Sequence, residues 1–241
     1  MTTSDLSDAA PLDEQDCPEG HDLADSAADS PCFGKAAGRP RAADKVARRE
    51  ALLHTAGRLF LEKGYSKVSL EMIAREAHVA VRTIYVKFGG KAGLLNAIIA
   101  NGRAHHMSGM ASMDTDPRPM EEILQDFSLR FLELVSLPTF INLHRMVVAE
   151  ARSTPELGET FFKAGPQQTR DQLGRFFARP DIKVQLREGL RAEMVPVFLI
   201  NCLMGDYMSH LLYPREARMP AEELQRRAAE GLDLFLHAVR R

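Results

Sequence analysis

Residues 69–90 hold two helical patterns, each about nine residues long, separated by a turn. Ser69 offers a capping oxygen to Leu70-Glu71-Met72-Ile73-Ala74. Glu71 lies in the first turn, where a negative charge suits the positive helix end. This helix is expected to end near Ala77. Ala80 to Phe88 follows as a second short helix, and Gly89-Gly90 breaks it. A longer helix stands upstream, from about Ala43 to Lys63, with Gly64 as its stop. Its residues Val46, Leu53, Ala56, Leu59 and Phe60 form one apolar stripe at helical spacing. A packing helix followed by two short helices joined by a tight turn is a helix-turn-helix. Such a module places its second short helix in the DNA major groove.

Charge is distributed as that module requires. The 241-residue chain carries a formal net charge of −2, a total that points away from nucleic acid. The total hides opposed blocks. Residues 1–34 hold nine acidic residues and no Lys or Arg, whereas residues 35–105 hold 14 Lys and Arg against five Asp and Glu. Residues 106–241 are nearly balanced, with 17 against 19. Positive charge is therefore concentrated on the segment that would meet DNA.

Residues 1–38 are rich in Asp, Ala, Ser, Gly and Pro and poor in bulky apolar side chains. They cannot bury enough surface to offset ordering entropy, so a disordered acidic tail is expected. It acts either as a solvated tail or as an acidic arm competing with DNA for the basic head. A helix from Lys91 to about Ser112 follows the helix-turn-helix. Prolines then mark helix starts: Pro119 before Glu121-Glu122, and Pro138 before a helix reaching about Arg152. Thr154-Pro155-Glu156 supplies a capping oxygen, a proline at the first helical position and an acid at the second. That helix should reach about Ala178, kinked at Pro166. A long helix from about Met194 to Leu212 is apolar on several faces, and should be buried on all sides. Pro220-Ala221-Glu222-Glu223 opens a last helix ending near Val239.

Ala and Leu number 58 against 20 Val and Ile, which favours helix over strand. The expected fold is all-α with about nine helices. Residues 39–92 form a three-helix DNA-binding head, and residues 93–241 a larger helical effector-binding and dimerisation domain. No apolar run reaches the roughly 18–20 residues of a membrane helix, and no secretory signal opens the chain, so a cytoplasmic protein without a membrane partner is expected. Cys17, Cys32 and Cys202 lack metal-like spacing, so neither a zinc site nor a cofactor is expected. A Gly-rich phosphate loop, an HExxH motif and a nucleophile motif are missing, and His105 and His106 diverge on their helix, which argues against an enzyme.

Ser69-Leu70-Glu71-Met72-Ile73-Ala74-Arg75-Glu76-Ala77-His78-Val79, followed by Arg82-Thr83-Ile84-Tyr85-Val86-Lys87-Phe88-Gly89-Gly90-Lys91, resembles the TetR family of bacterial transcription regulators. The resemblance spans about residues 38–105. It implies an all-helical homodimer with N-terminal DNA-binding heads and a C-terminal ligand-binding and dimerisation domain. Two positions depart from the family pattern. His78 stands at the turn glycine, where a left-handed backbone strains a non-glycine residue. Ala80 replaces the Ser or Thr cap of the recognition helix and cannot cap it. Arg145-Met146-Val147-Val148-Ala149-Glu150-Ala151, with Pro155-Glu156-Leu157-Gly158, Phe161-Phe162 and Gly165-Pro166, is similar to the C-terminal domain of the AefR-like branch. That similarity implies a repressor responsive to a small molecule.

Site roles follow from side-chain chemistry. Arg82 can fork onto guanine, and Thr83 can touch a thymine methyl or a phosphate. Tyr85 suits the backbone, as do Lys87 and Lys91, while Ser69 caps its helix and reaches phosphate through the same end. Arg39 or Arg41, in a flexible basic arm, can enter the minor groove. Ile84 and Phe88 should pack inward against Phe60 and Ile73. An effector pocket is expected among Phe127, Phe131, His144, Phe161, Phe162, Phe176, Asn201 and Cys202, whose aromatic and few polar groups suit an apolar or aromatic ligand. The two last helices suggest a symmetric four-helix interface, which would present two recognition helices to a palindromic double-stranded DNA operator. The alternatives are a ligand-independent architectural DNA-binding protein with a filled core, and a helical enzyme.

Overall fold

The computed structural model describes residues 42–110, 112–207, 209 and 220–241. The acidic tail and the arm residues Arg39 and Arg41 lie outside the described residues, as do Met208 and Leu211 of the expected apolar helix. Every regular element among the described residues is helical, and the one β-type contact is an isolated bridge between Leu186 and Arg240.

The head opens with α1 (Ala42–Lys63), followed by α2 (Leu70–Glu76) and α3 (Val81–Phe88). Leu53, Ala56, Leu59 and Phe60 of the predicted stripe are buried, but Val46 is exposed, because the first turns of α1 project beyond the helices that cover its later ones. The stripe's packing face therefore begins at Leu52. Helix α4 (Lys91–His106) links head and body. It stops six residues short of Ser112, and successive turns carry Met107, Met110 and Met113 inward into the body core.

The body contains α5 (Met120–Val135), α6 (Pro138–Glu150), α7 (Pro155–Phe162), α8 (Gln168–Ala178), a short α9 (Pro180–Lys183), α10 (Val195–Met204) and α11 (Ala221–Val239). The predicted kink at Pro166 is a single π turn over Lys163–Gln167. A wider turn accommodates a residue that has no N–H to donate. Thr154 does not cap α7 with its side chain. Its hydroxyl lies 3.2 Å from that of Ser66 instead.

Helix α10 is shorter than expected, closing at Gly205 with φ +46°. It is not buried on all sides. Phe198 remains 39% exposed, while Leu199 and Leu203 face inward. Gly231 of α11 lets the two helices touch along their backbones. A Cβ there would lie 2.7 Å from the Cys202 carbonyl oxygen and 3.1 Å from the Leu203 Cα. Leu234, on the outer side of α11, is 63% exposed.

Two apolar clusters hold the chain together. One unites α5, α8, α10 and α11 around Phe127, Phe176, Leu199 and Phe235. The other begins in the head and does not end there. It joins Phe60, Ile73, Ile84 and Leu94 to Val147, Leu157 and Phe161 of α6 and α7. At about 1.5–3 kcal/mol for each large buried side chain, that shared cluster couples the head mechanically to the body.

Candidate nucleic-acid interface and ligand cavity

The expected cap on α2 is present. Ser69 has extended backbone angles, and its Oγ accepts a hydrogen bond of 3.2 Å from the Met72 N–H. The turn after α2 is left-handed at His78, with φ +53°, as the glycine-like position requires. Val79 N–H closes the turn by donating to the Ala74 carbonyl at 2.9 Å. Ala80 occupies the N-cap of α3 with extended angles and no side-chain bond. Helix α3 therefore starts uncapped. It ends well, since Gly89 is left-handed and donates to the Tyr85 carbonyl at 2.8 Å.

The helical period sorts the side chains of α3. Ile84 is fully buried and Phe88 packs partly against the same cluster, which contains Phe60 and Ile73. Arg82 and Lys87 are exposed, Thr83 is half-buried, and Tyr85 is 56% exposed. Val86 is 75% exposed, an apolar side chain on the outer face that the motif reading passed over. Its position one helical turn beyond Arg82 was the available signal. Gly93 fixes the seat of this helix. A Cβ at that position would collide with the Phe88 backbone carbonyl. Arg58 binds Glu62 at 2.9 Å and also pairs with Glu76, bracing α1 against α2.

Lys91, which the sequence assigns to the DNA backbone, already has a partner within the protein. Its ammonium stands 4.3 Å from the centroid of the Tyr65 ring. Burial lowers its pKa, against the opposing pull of Glu150 and Glu156. Burial, with the charge of Glu156, pushes the Tyr65 phenol up to about 12. Glu150, at the end of α6, accepts from the backbone N–H of Tyr65 at 3.0 Å, and from Ser66 N–H at 2.8 Å and its hydroxyl at 2.5 Å. Burial opposes charge on Glu150, yet those bonds and Lys91 hold its carboxyl below its ordinary value. This carboxylate ties the loop between α1 and α2 to the body across 85 residues of chain, so no local pattern announced it.

A cavity of about 1110 Å³ lies between α1, α4, α5, α6, α7, α8 and α10. Of the eight residues predicted to form a pocket, Phe131, His144, Phe161, Phe162 and Asn201 line it. Phe127 and Phe176 do not. Both are fully buried in the body core, where their rings fill space rather than border it. Cys202 is also off the wall, in the stretch of α10 that touches Gly231. Burial pushes its thiol pKa up, which disfavours the reactive thiolate. Phe140, Leu134 and Leu143 line the cavity and were missed, since residues on one helix face do not reveal whether they meet a neighbour or a hollow. His144 stacks 6.4 Å from Phe140 and stands edge-on to Phe161 at 5.5 Å. Burial lowers its pKa, and its Nδ1 is buried without a hydrogen-bond partner. A smaller hollow of about 740 Å³ lies between α4 and the π turn, bordered by Asn96, Lys163 and Gln168.

Comparison with known proteins agrees with this geometry. Residues 52–98 match the model for bacterial regulatory proteins of the tetR family, and residues 122–240 match that for the C-terminal domain of AefR-like transcriptional repressors. No curated protein sequence matches the chain significantly. Among solved structures, a TetR transcriptional regulator from Agrobacterium tumefaciens is 21% identical, with a TM-score of 0.62 over 80% of this chain and 94% of the other. The flavonoid-responsive regulator FrrA is 22% identical, with a TM-score of 0.58 over 81% and 98%. NalD, the secondary repressor of the MexAB-OprM multidrug efflux pump in Pseudomonas aeruginosa, is 25% identical, with a TM-score of 0.55 over 83% and 98%.

Proposed function

The chain belongs to the TetR family of bacterial regulatory proteins, and on that premise we propose that it is a homodimeric repressor released from a palindromic operator by a small apolar or aromatic effector. Sequence-specific DNA binding is the task of the head, residues 39–92, and effector binding and dimerisation that of residues 93–241. Arg82 reads a guanine, Val86 and Thr83 meet thymine methyls, and Tyr85 and Lys87 hold the backbone. Ser69 reaches phosphate from the start of α2, and Arg39 or Arg41 reaches into the minor groove. Lys91 contributes less to phosphate binding, because Tyr65 already holds it.

The observation that carries the effector reading is the large cavity whose wall includes both head and body helices. A filled core would have favoured the ligand-independent alternative. Helix α6 borders this cavity through Phe140, Leu143 and His144, and ends at Glu150 on the head loop. A ligand that displaces α6 therefore shifts the seat of α2 and α3. Because the effector binds one head arrangement better than the other, it lowers operator affinity by population shift. Phe198 and Leu234 supply exposed apolar contacts for a four-helix dimer interface. Two-fold symmetry then sets two recognition helices about 34 Å apart. We read the cavity as a binding site and assign no catalysis to it. No single helix among the described residues is long and apolar enough to cross a membrane.

The test is operator binding by the full chain with the promoter DNA beside its own gene, titrated with a panel of aromatic compounds. Saturable binding reversed by at least one compound supports the reading. Specific binding that no cavity-filling substitution and no compound alters contradicts the effector role.

A further inference from the structure

Arg103 of α4 stands on the wall of the large cavity and borders the smaller hollow as well, and among the described residues its charge is left unanswered. Its side chain is half-buried. Its Nε donates to the Thr169 hydroxyl at 3.3 Å, and its Nη2 donates to the Gln172 amide oxygen at 2.7 Å. Both acceptors are neutral. Among the described residues, no carboxylate pairs with Arg103 and Nη1 has no partner. Burial, together with the nearby charge of Arg175, lowers its pKa. Arg175 is itself satisfied by Asp114 at 3.0 Å. A half-buried cation without a counter-charge is costly, and proteins ordinarily pair it.

The two acceptors are themselves fixed. The Thr169 hydroxyl donates to the Gly165 carbonyl at 3.3 Å, which turns a lone pair towards Arg103. The Gln172 amide nitrogen donates to the Met110 carbonyl at 2.7 Å, which turns its oxygen the same way. Thr169 and Gln172 are both more than nine-tenths buried. The guanidinium is thus held by two neutral, pre-oriented partners, and three of its five N–H donors stay open. That arrangement suits bidentate capture of a planar anion. The remaining wall is mainly apolar, with Phe131, Phe140, Phe161, Leu134 and Leu143 on it.

We propose that the effector is an amphipathic carboxylic acid, its carboxylate paired with Arg103 and its apolar or aromatic body lying against Phe131, Phe140 and Phe161. This rests on the reading of the cavity as the effector site and adds a required charge to it. Pairing removes an uncompensated cation from α4, the helix that also seats α3 through Gly93. Ligand charge is thereby linked to head position.

Calorimetric titration of the full-length protein with 2-naphthoate and octanoate, each beside its neutral amide, tests the proposal. At least one acid is expected to bind tenfold or more tightly than its amide. Arg103→Gln should erase that preference without lowering the melting temperature of the free protein, and Arg103→Lys, which keeps charge but not the fork, should retain part of it. An amide that matches or exceeds its acid, a preference that survives Arg103→Gln, or binding of neither acid overturns the proposal. Leu134→Trp, which fills the cavity, separates the two readings. Amides that outbind acids and are expelled by Leu134→Trp overturn the carboxylate and leave the effector cavity standing. Acid binding that depends on Arg103 but is indifferent to Leu134→Trp overturns the cavity as the place of binding, and the proposal with it.

Discussion

The outward face of α3 and the wall of the cavity differ in how the chain assembles them. Five residues of one short stretch, Arg82, Thr83, Tyr85, Val86 and Lys87, make the first, and the one buried side chain among them, Ile84, fixes which way they point. Seven helices, from α1 to α10, make the second. A surface built from consecutive residues is set by local period and one packing contact. A hollow built from distant helices is set by where those helices stop short of one another. The first should therefore fail through single side chains, and the second through changes in helix spacing.

Two glycines give the largest tests of that contrast. Gly93→Ala forces a Cβ against the Phe88 carbonyl, so the end of α3 must move. We expect a loss of about 3 kcal/mol in denaturant unfolding and loss of operator binding, from overpacking at backbone rather than at a flexible side chain. Gly231→Ala crowds the Cys202 carbonyl and spreads α10 from α11. It should cost a similar amount, about 2–3 kcal/mol, and weaken the dimer before it harms base reading. If Gly231→Ala altered base preference while the dimer stayed intact, the division of labour drawn here would be wrong.

Side-chain changes on α3 come next. Arg82→Ala should cost about 1–3 kcal/mol at one base pair and relax preference there, measured by competition between variant duplexes. Lys87→Ala should weaken all sequences alike and lower the salt slope by about 1, as one phosphate contact is lost. Lys91→Ala should lower that slope by less, since its ammonium sits over Tyr65. An equal effect at both lysines would remove the distinction between them.

The smaller tests concern helix start and charge. Ala80→Ser supplies the oxygen that α3 lacks, in a backbone already extended for it, and should add about 0.5–2 kcal/mol by thermal unfolding. His144 offers a pH test of the cavity wall. Its folded pKa is depressed by burial, so below the ordinary histidine range the unfolded chain binds the extra proton. Stability is then complete above the unfolded value and declines as pH falls towards the folded one. His144→Phe should flatten that acid-side decline in melting temperature.

What was legible in the sequence follows the same contrast. The helix-turn-helix, its Ser69 cap, the strained turn at His78 and the uncapped start at Ala80 could be read directly, because each depends on residues within a few positions. Helix ends were less secure. Lys91 opens α4 as expected, but Met107 and Met110 draw the chain inward before Ser112 and Met113 just after it, a tertiary preference with no local signature. The aromatic residues of the cavity could be named only as a class. Phe131 and Phe127 stack at 5.7 Å on the same helix, yet one borders the hollow and the other fills the core. The roles of Glu150 and Arg103 could not be read for a simpler reason. Their significance lies in partners 85 and 66–69 residues away.

The central claim is that α3 reads a palindrome for two symmetric heads. Selection of bound duplexes from a random pool by the full-length protein tests it most directly, with the Arg82→Ala variant run in parallel. The account predicts enrichment of an inverted repeat with half-sites about one helical turn apart, centre to centre, and one relaxed base pair per half-site with the variant. An unenriched pool, or an identical repeat selected by both proteins, would contradict it.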